Sequence, residues 1–150
     1  MAISVPDLEA ACNWYEEIFG FKRIRSDRMT IRAEDPEGAM FKIYDGKLQK
    51  VNIAWLSAGN GVAFEVFQFI DPPFVKPNEF DYTRGGFFHI AITVPDPDAM
   101  AARVCEKGGK QIGKTVEMYD GERALYVQDP WGNIVECLSC SFEKLMANRA

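Results

Sequence analysis

Three side chains of this sequence have the types and setting to do chemistry together: Glu65, His89 and Glu136. His89 is the only histidine in 150 residues. It sits in "FFHIAITV" (87–94), while Glu65 sits in "GVAFEVFQF" (61–69) and Glu136 in "GNIVECLS" (132–139). All three segments read as β-strands, and both glutamates follow a strand-opening glycine at the same spacing. Alternate residues of a strand share a face. His89 therefore groups with Phe87, Ala91 and Thr93, Glu65 with Ala63, Phe67 and Phe69, and Glu136 with Ile134 and Leu138. A carboxylate amid that much apolar surface is costly unless it is paired or binds a metal. One imidazole and two carboxylates make an N/O ligand set for Zn²⁺, Ni²⁺, Mn²⁺ or Fe²⁺. Each residue also has a plain alternative. A lone mid-strand histidine is often a satisfied core residue, and each glutamate can pair with a lysine or arginine across its sheet.

The elements that position these residues are written twice. Ala2-Ile3-Ser4-Val5-Pro6-Asp7 aligns with Ala91-Ile92-Thr93-Val94-Pro95-Asp96, and the same offset carries Gly20 onto Gly109. After each phrase comes a helix of matched length. In 7–20, Leu8, Ala11, Cys12, Tyr15, Ile18 and Phe19 recur at helical spacing, with Asp7 as N-cap and Gly20 as stop. In 96–109, Asp96 caps, Pro97 opens the helix and Gly108-Gly109 ends it. Further strands are expected at 21–26, 40–45 and 51–57 in the first half, and at 114–119 and 123–128 in the second. "SAGNG" (57–61) and "DPWGN" (129–133) are turn chemistry. Each half thus reads β-α-β-β-β: residues 1–70, a proline-rich linker over 71–86, then 87–140. A tail or short helix over 141–150 closes one structural domain.

Composition narrows the function classes. A net charge of −5 argues against a broad nucleic-acid or anionic-membrane surface. No apolar run approaches the ~20 residues of a membrane span. The N-terminus lacks a basic flank followed by an apolar run, so a cytoplasmic location without a secretory signal is expected. Cys12, Cys105, Cys137 and Cys140 are expected as buried or partly buried free thiols. The C-x-x-C of "CLSC" closes a strand, whereas a redox motif opens a helix.

The chain resembles the vicinal-oxygen-chelate superfamily, which includes glyoxalase I, methylmalonyl-CoA epimerase, extradiol dioxygenases and the fosfomycin and bleomycin resistance proteins. "VPDLEAACNWYEEIFGF", "FHIAITVPD" and "YVQDPWGNIVECL" carry the resemblance, which spans nearly the whole sequence. It implies an α+β fold of two tandem βαβββ modules, whose curved mixed sheets enclose a central cavity holding one divalent metal. By position, it implies metal ligands Glu65, His89 and Glu136. A fourth ligand is implied on the first strand of module 1, and the repeat offset places it one residue before Met1. The expectation is that the natural chain extends upstream or that the site is metal-poor. The resemblance also implies a homodimer.

A carboxylate at the position of Glu65 tilts the resemblance toward glyoxalase I. It implies a metal-dependent lyase or isomerase acting by proton transfer on a small α-hydroxycarbonyl-type substrate, with Glu136 and Glu65 as base or ligand in either order. Two alternatives stay open: a metal-poor small-molecule binding module of the resistance type, and an Fe(II) dioxygenase. Trp55, Phe67, Phe69, Phe87, Tyr126 and Trp131 lie on or beside the expected cavity strands, either as ordinary sheet packing or as a pocket for an apolar or aromatic molecule. Arg23, Arg84, Arg123 and Asn52 could meet charged substrate ends, but no spacing marks them.

Overall fold

In the computed structural model, which describes residues 1–147, Asp7 and Asp96 both start helices as the repeat predicts. The Asp7 carboxylate accepts from the Ala10 N–H, and that of Asp96 from the N–H groups of Asp98 and Ala99. The chain divides into two units, Met1–Val75 and Lys76–Ala150. Both are α+β, each built on a mixed sheet.

Unit 1 runs β1 (Ala2–Ser4), α1 (Leu8–Phe19), β2 (Lys22–Arg23), β3 (Arg28–Ile31), α2 (Ala39–Ile43), β4 (Lys50–Ser57) and β5 (Ala63–Asp71). Its strands lie in the order β1-β5-β4-β2, with β3 also on β4. Only β1 runs parallel to its neighbour. Strand alternation divides the sheet into two apolar faces. Ala54, Leu56, Phe64 and Val66 are buried on the α1 side, where Tyr15 meets Phe64 at 4.7 Å between ring centroids. The opposite face carries a second cluster of Leu48, Val51, Ile53 and Phe67, closed by Phe41 of α2. Glu65 belongs to this second face.

Two expectations for unit 1 need correction. Residues 40–45, expected as a strand, are helical over 40–43, within α2. The edge of β4 is already taken by β2 and β3, so a strand at 40–45 could not pair there. Coiling also delivers Phe41 onto the sheet while leaving Ile43 exposed. The strand expected at 21–26 is in fact two pieces, Lys22–Arg23 and Arg28–Ile31, both antiparallel to β4.

Unit 2 is the plainer copy: β6 (Ile90–Thr93), α3 (Pro97–Glu106), β7 (Lys110–Glu117), β8 (Arg123–Gln128), β9 (Ile134–Leu138) and α4 (Phe142–Met146). Its strand order is β6-β9-β8-β7. Leu125, Val127, Val135 and Cys137 are buried on the face that packs on α3. On the other face, Ala124 and Leu138 are covered by Leu145 of α4. The strand expected at 114–119 starts earlier, at Lys110, and its pairing is irregular between Ile112 and Val116, where Gly113 takes a positive φ of 68°. The terminal helix occupies Phe142–Met146, and positions 148–150 of the expected tail lie outside the described residues. The four cysteines are free, but Cys105 is exposed rather than buried because it lies on the outer side of α3.

Candidate functional site

Glu136 occupies the middle of β9, with Ala91 of β6 beside it on one edge and Tyr126 of β8 on the other. Directly opposed residues point to the same side of a sheet. Tyr126 is thereby held against the Glu136 carboxylate and hydrogen-bonds to it. Burial, and then the negative charge of Glu136, push the Tyr126 hydroxyl above its usual pKa. It therefore stays protonated and donates.

His89 completes the group. It precedes β6 by one residue and is not mid-strand as the alternation suggested. Its Nε2 lies 3.5 Å from Glu136 Oε2, with the two side chains 26% and 16% exposed. Its ring stands edge-on to Tyr126 at 5.2 Å and to Phe88 at 4.7 Å. Its Nδ1 is buried and makes no hydrogen bond. A buried ring nitrogen without a partner is uncommon in a folded protein.

The same plan recurs in unit 1. Glu65 lies mid-strand on β5, flanked by Ala2 of β1 and Trp55 of β4. Trp55 Nε1 donates to Glu65 Oε1 at 3.0 Å. The guanidinium of Arg25 lies over the Trp55 ring, 4.4 Å from its centroid. In each unit a central glutamate is thus flanked by a repeat alanine on one side and an aromatic hydrogen-bond donor on the other.

The remaining aromatic candidates are scattered. Phe67 stacks on Phe69 at 5.7 Å but is only 8% exposed, sealed under Phe41. Phe87 is fully exposed ahead of β6. Trp131 sits in the β8–β9 turn, where Asp129 Oδ1 accepts its backbone N–H at 2.9 Å. All three candidate arginines are paired with acids, Arg23 with Glu9 and Asp27, Arg84 with Asp81, and Arg123 with Asp96 and Asp98.

The chain matches the family model of the glyoxalase/bleomycin resistance protein/dioxygenase superfamily over residues 1–137. It belongs to that superfamily. Solved structures with the same fold include a glyoxalase family protein from Bacillus cereus, at 21% identity and a TM-score of 0.76, covering 92% of this chain and 89% of that one. The fosfomycin resistance protein FosX from Mesorhizobium loti matches at 18% identity and a TM-score of 0.56, over 99% and 94% of the two chains. A glyoxalase I mutant from Zea mays matches at 23% identity and a TM-score of 0.60, over 93% of this chain and 44% of that one. Among curated proteins, none matches the sequence.

Superfamily members typically use a divalent metal. The His89–Glu136 pair has the right donor chemistry for one, an imidazole whose Nε2 faces a carboxylate. The pair fills two coordination positions. Among the described residues no group of three or more His, Cys, Asp or Glu side chains converges as a metal site.

Nothing in the sequence reading assigned donor roles to Trp55 and Tyr126. The signal was present, because the spacing from Trp55 to Tyr126 equals that from Glu65 to Glu136. The aromatic donors are therefore part of the repeat.

Proposed function

We propose that this superfamily member is a glyoxalase-like lyase or isomerase that transfers a proton on a small α-hydroxycarbonyl substrate. One observation carries the reading. Each sheet holds a glutamate at its centre whose carboxylate is oriented by a neutral donor from the next strand, Tyr126 in one unit and Trp55 in the other. An oriented carboxylate with accessible lone pairs is what abstraction of a proton beside a carbonyl requires. In the reaction, the substrate C–H bond breaks and its proton moves to a glutamate oxygen. The C–H pair forms a C=C bond and the C=O π pair moves onto the carbonyl oxygen, giving an enediolate. The hydroxyl proton then passes to that oxygen as the same carboxylate returns its proton to the former carbonyl carbon, leaving the carbonyl on the adjacent carbon.

His89 and Glu136 are the residues that would hold a divalent metal. Such a metal, when bound, supplies positive charge that stabilises the developing oxyanion. Tyr126 keeps the Glu136 carboxylate in one rotamer. Phe88 and Tyr126 stand edge-on to the His89 ring and orient it beside that carboxylate. The working protein in this reading is a cytoplasmic homodimer, in keeping with four free thiols.

A second reading is a metal-poor module that binds a small molecule without turnover. It draws on the cavity in unit 1 described below.

The deciding experiment follows α-proton exchange into D₂O by NMR for a panel of α-hydroxyketones, alongside metal analysis of wild type and His89→Ala. Catalysed exchange that falls about 10²–10⁴-fold in Glu136→Gln or Glu65→Gln supports the lyase reading. Equal metal content in wild type and His89→Ala would sink the metal assignment. Saturable binding with no exchange would leave the binding module.

A further inference from the structure

Beyond Phe67, the Glu65 face of unit 1 opens into a cavity of about 550 Å³. Phe69, Tyr44, Leu48 and Phe74 form its apolar walls, and Ser4 lies on its floor. The Tyr44 ring stands edge-on to Phe69 at 6.0 Å. The volume lies within the roughly 300–1,000 Å³ of ligand pockets, and the lining is of the usual kind, mostly apolar with a few polar groups. Asp45 and Lys47 both line it with opposite charges, so neither sign of ligand is favoured.

The route from Glu65 to this cavity can be read from the register. Ser4 stands opposite Phe67, as Ala2 stands opposite Glu65. Both are small, exposed and on the Glu65 face. Phe67 itself is sealed beneath Phe41. The open floor therefore runs over Ala2 and Ser4 along β1. Four residues of strand separate Glu65 from Phe69, a span of about 13 Å. A compact ligand at Glu65 would not reach the cavity, whereas one with an extended spacer would.

We propose that this cavity is a subsite for the flat apolar end of the ligand: an aryl group on an alkyl spacer, with the oxygenated end at Glu65. The substrate class is then a 1-hydroxy-ω-arylalkan-2-one rather than a triose-sized ketone. The proposal rests on the reading of Glu65 as a site carboxylate. The aromatic walls supply stacking and edge contacts that favour a ring over a chain of equal area.

Calorimetric titration of 1-hydroxy-ω-phenylalkan-2-ones with short, medium and long spacers tests it, with methyl-ended chains of matched length as controls. Affinity is expected to rise with spacer length for the phenyl series and to exceed the matched alkyl chains. Ser4→Trp fills the cavity from its floor and is expected to weaken the long phenyl ketones about tenfold or more, which corresponds to loss of a buried ring. Tyr44→Ala removes a wall from an exposed position and should act in the same direction if Ser4→Trp fails to fold. Glu65→Gln should keep the gain from the phenyl group while losing proton exchange. If exchange survives in both Glu65→Gln and Glu136→Gln, the proton-transfer reading falls, yet the phenyl-dependent affinity still reports on the subsite. Equal affinity for phenyl and methyl ends, or wild-type affinity in both Ser4→Trp and Tyr44→Ala, overturns the subsite.

Discussion

Tyr126 stands directly across the β8–β9 ladder from Glu136 and hydrogen-bonds to its carboxylate. Trp55 holds the equivalent place across β4–β5 from Glu65. A hydrogen bond to a charged group contributes about 1.5–3 kcal/mol, so each donor is strong enough to fix a carboxylate rotamer. Tyr126→Phe keeps the ring and removes only the hydroxyl. Proton exchange is expected to drop about tenfold to a hundredfold, in line with that energy. Trp55→Phe should have a similar effect through Glu65. NMR exchange rates check both, with circular dichroism confirming an intact fold. A full rate in Tyr126→Phe would mean that the hydroxyl merely satisfies its own burial.

Much of this arrangement was legible because the repeat is a statement about register. Matching Ala2 with Ala91 and Glu65 with Glu136 means that a neighbour of one glutamate has its counterpart beside the other, and the two ladders place an alanine there in each unit. The helices were legible for local reasons, an aspartate cap and an apolar face. The segment 40–45 was not. Its alternation suits a strand, and only the occupied edge of β4 and the hole that Phe41 fills make it helical. His89 was placed correctly in its face but one residue too deep in its strand. The cavity at Phe69 was invisible for a related reason: most of its walls come from the α2–β4 loop and the loop after β5, whose positions depend on tertiary packing.

The glycines that the repeat aligns, Gly20 and Gly109, are needed for different reasons. Gly20 takes a φ of 71° at the end of α1, with open space where a Cβ would sit. An alanine there meets only the left-handed backbone penalty, roughly 1–2 kcal/mol. In unit 2 the positive φ belongs to Gly108. A Cβ on Gly109 would fall 2.5 Å from the Gln128 carbonyl oxygen and 2.5 Å from Val104 Cγ1. A backbone carbonyl inside a sheet cannot yield cheaply. Gly109→Ala is therefore expected to cost about 3 kcal/mol, the upper part of the overpacking range, and more than Gly20→Ala. Urea midpoints of the two variants measure the difference; the opposite order would contradict the close approach.

The four thiols should react unequally. Burial pushes Cys12 and Cys137 up to about 12, so neither holds appreciable thiolate near neutral pH. Cys105 is exposed on α3. Iodoacetamide at pH 8 is expected to alkylate Cys105 in the native protein and to leave Cys12 and Cys137 intact until denaturant is added. Peptide mass spectrometry reads the sites directly. Native labelling of Cys137 would mean that β9 opens far more readily than its buried position allows.

Helix α4 should be docked within a defined pH window. Leu145, 1% exposed, seals Ala124, Leu138 and Cys140, and a charge clamp holds the helix over them. Lys144 is paired with Glu122, whose other oxygen accepts the Ser139 hydroxyl at 2.5 Å. The Lys144 hydrogen bond, then that of Ser139, lowers Glu122 below its ordinary 4.5. The Glu122 hydrogen bond and charge raise Lys144 above its ordinary 10.5. A depressed carboxylate contributes stability that is full above its unfolded pKa and lost as pH falls through its folded one. A raised lysine contributes stability that is full below its unfolded pKa and lost as pH rises through its folded one. Docking is therefore firmest between 4.5 and 10.5 and loosens on both sides. The Leu145 methyl signals in an NMR titration should report both limbs. Lys144→Met removes the ammonium and should abolish the alkaline limb and weaken the acid one. Leu145→Ala should instead loosen the helix at every pH, at about 2–3 kcal/mol for the lost side chain. A Lys144→Met protein with an unchanged alkaline limb would assign that limb to another group.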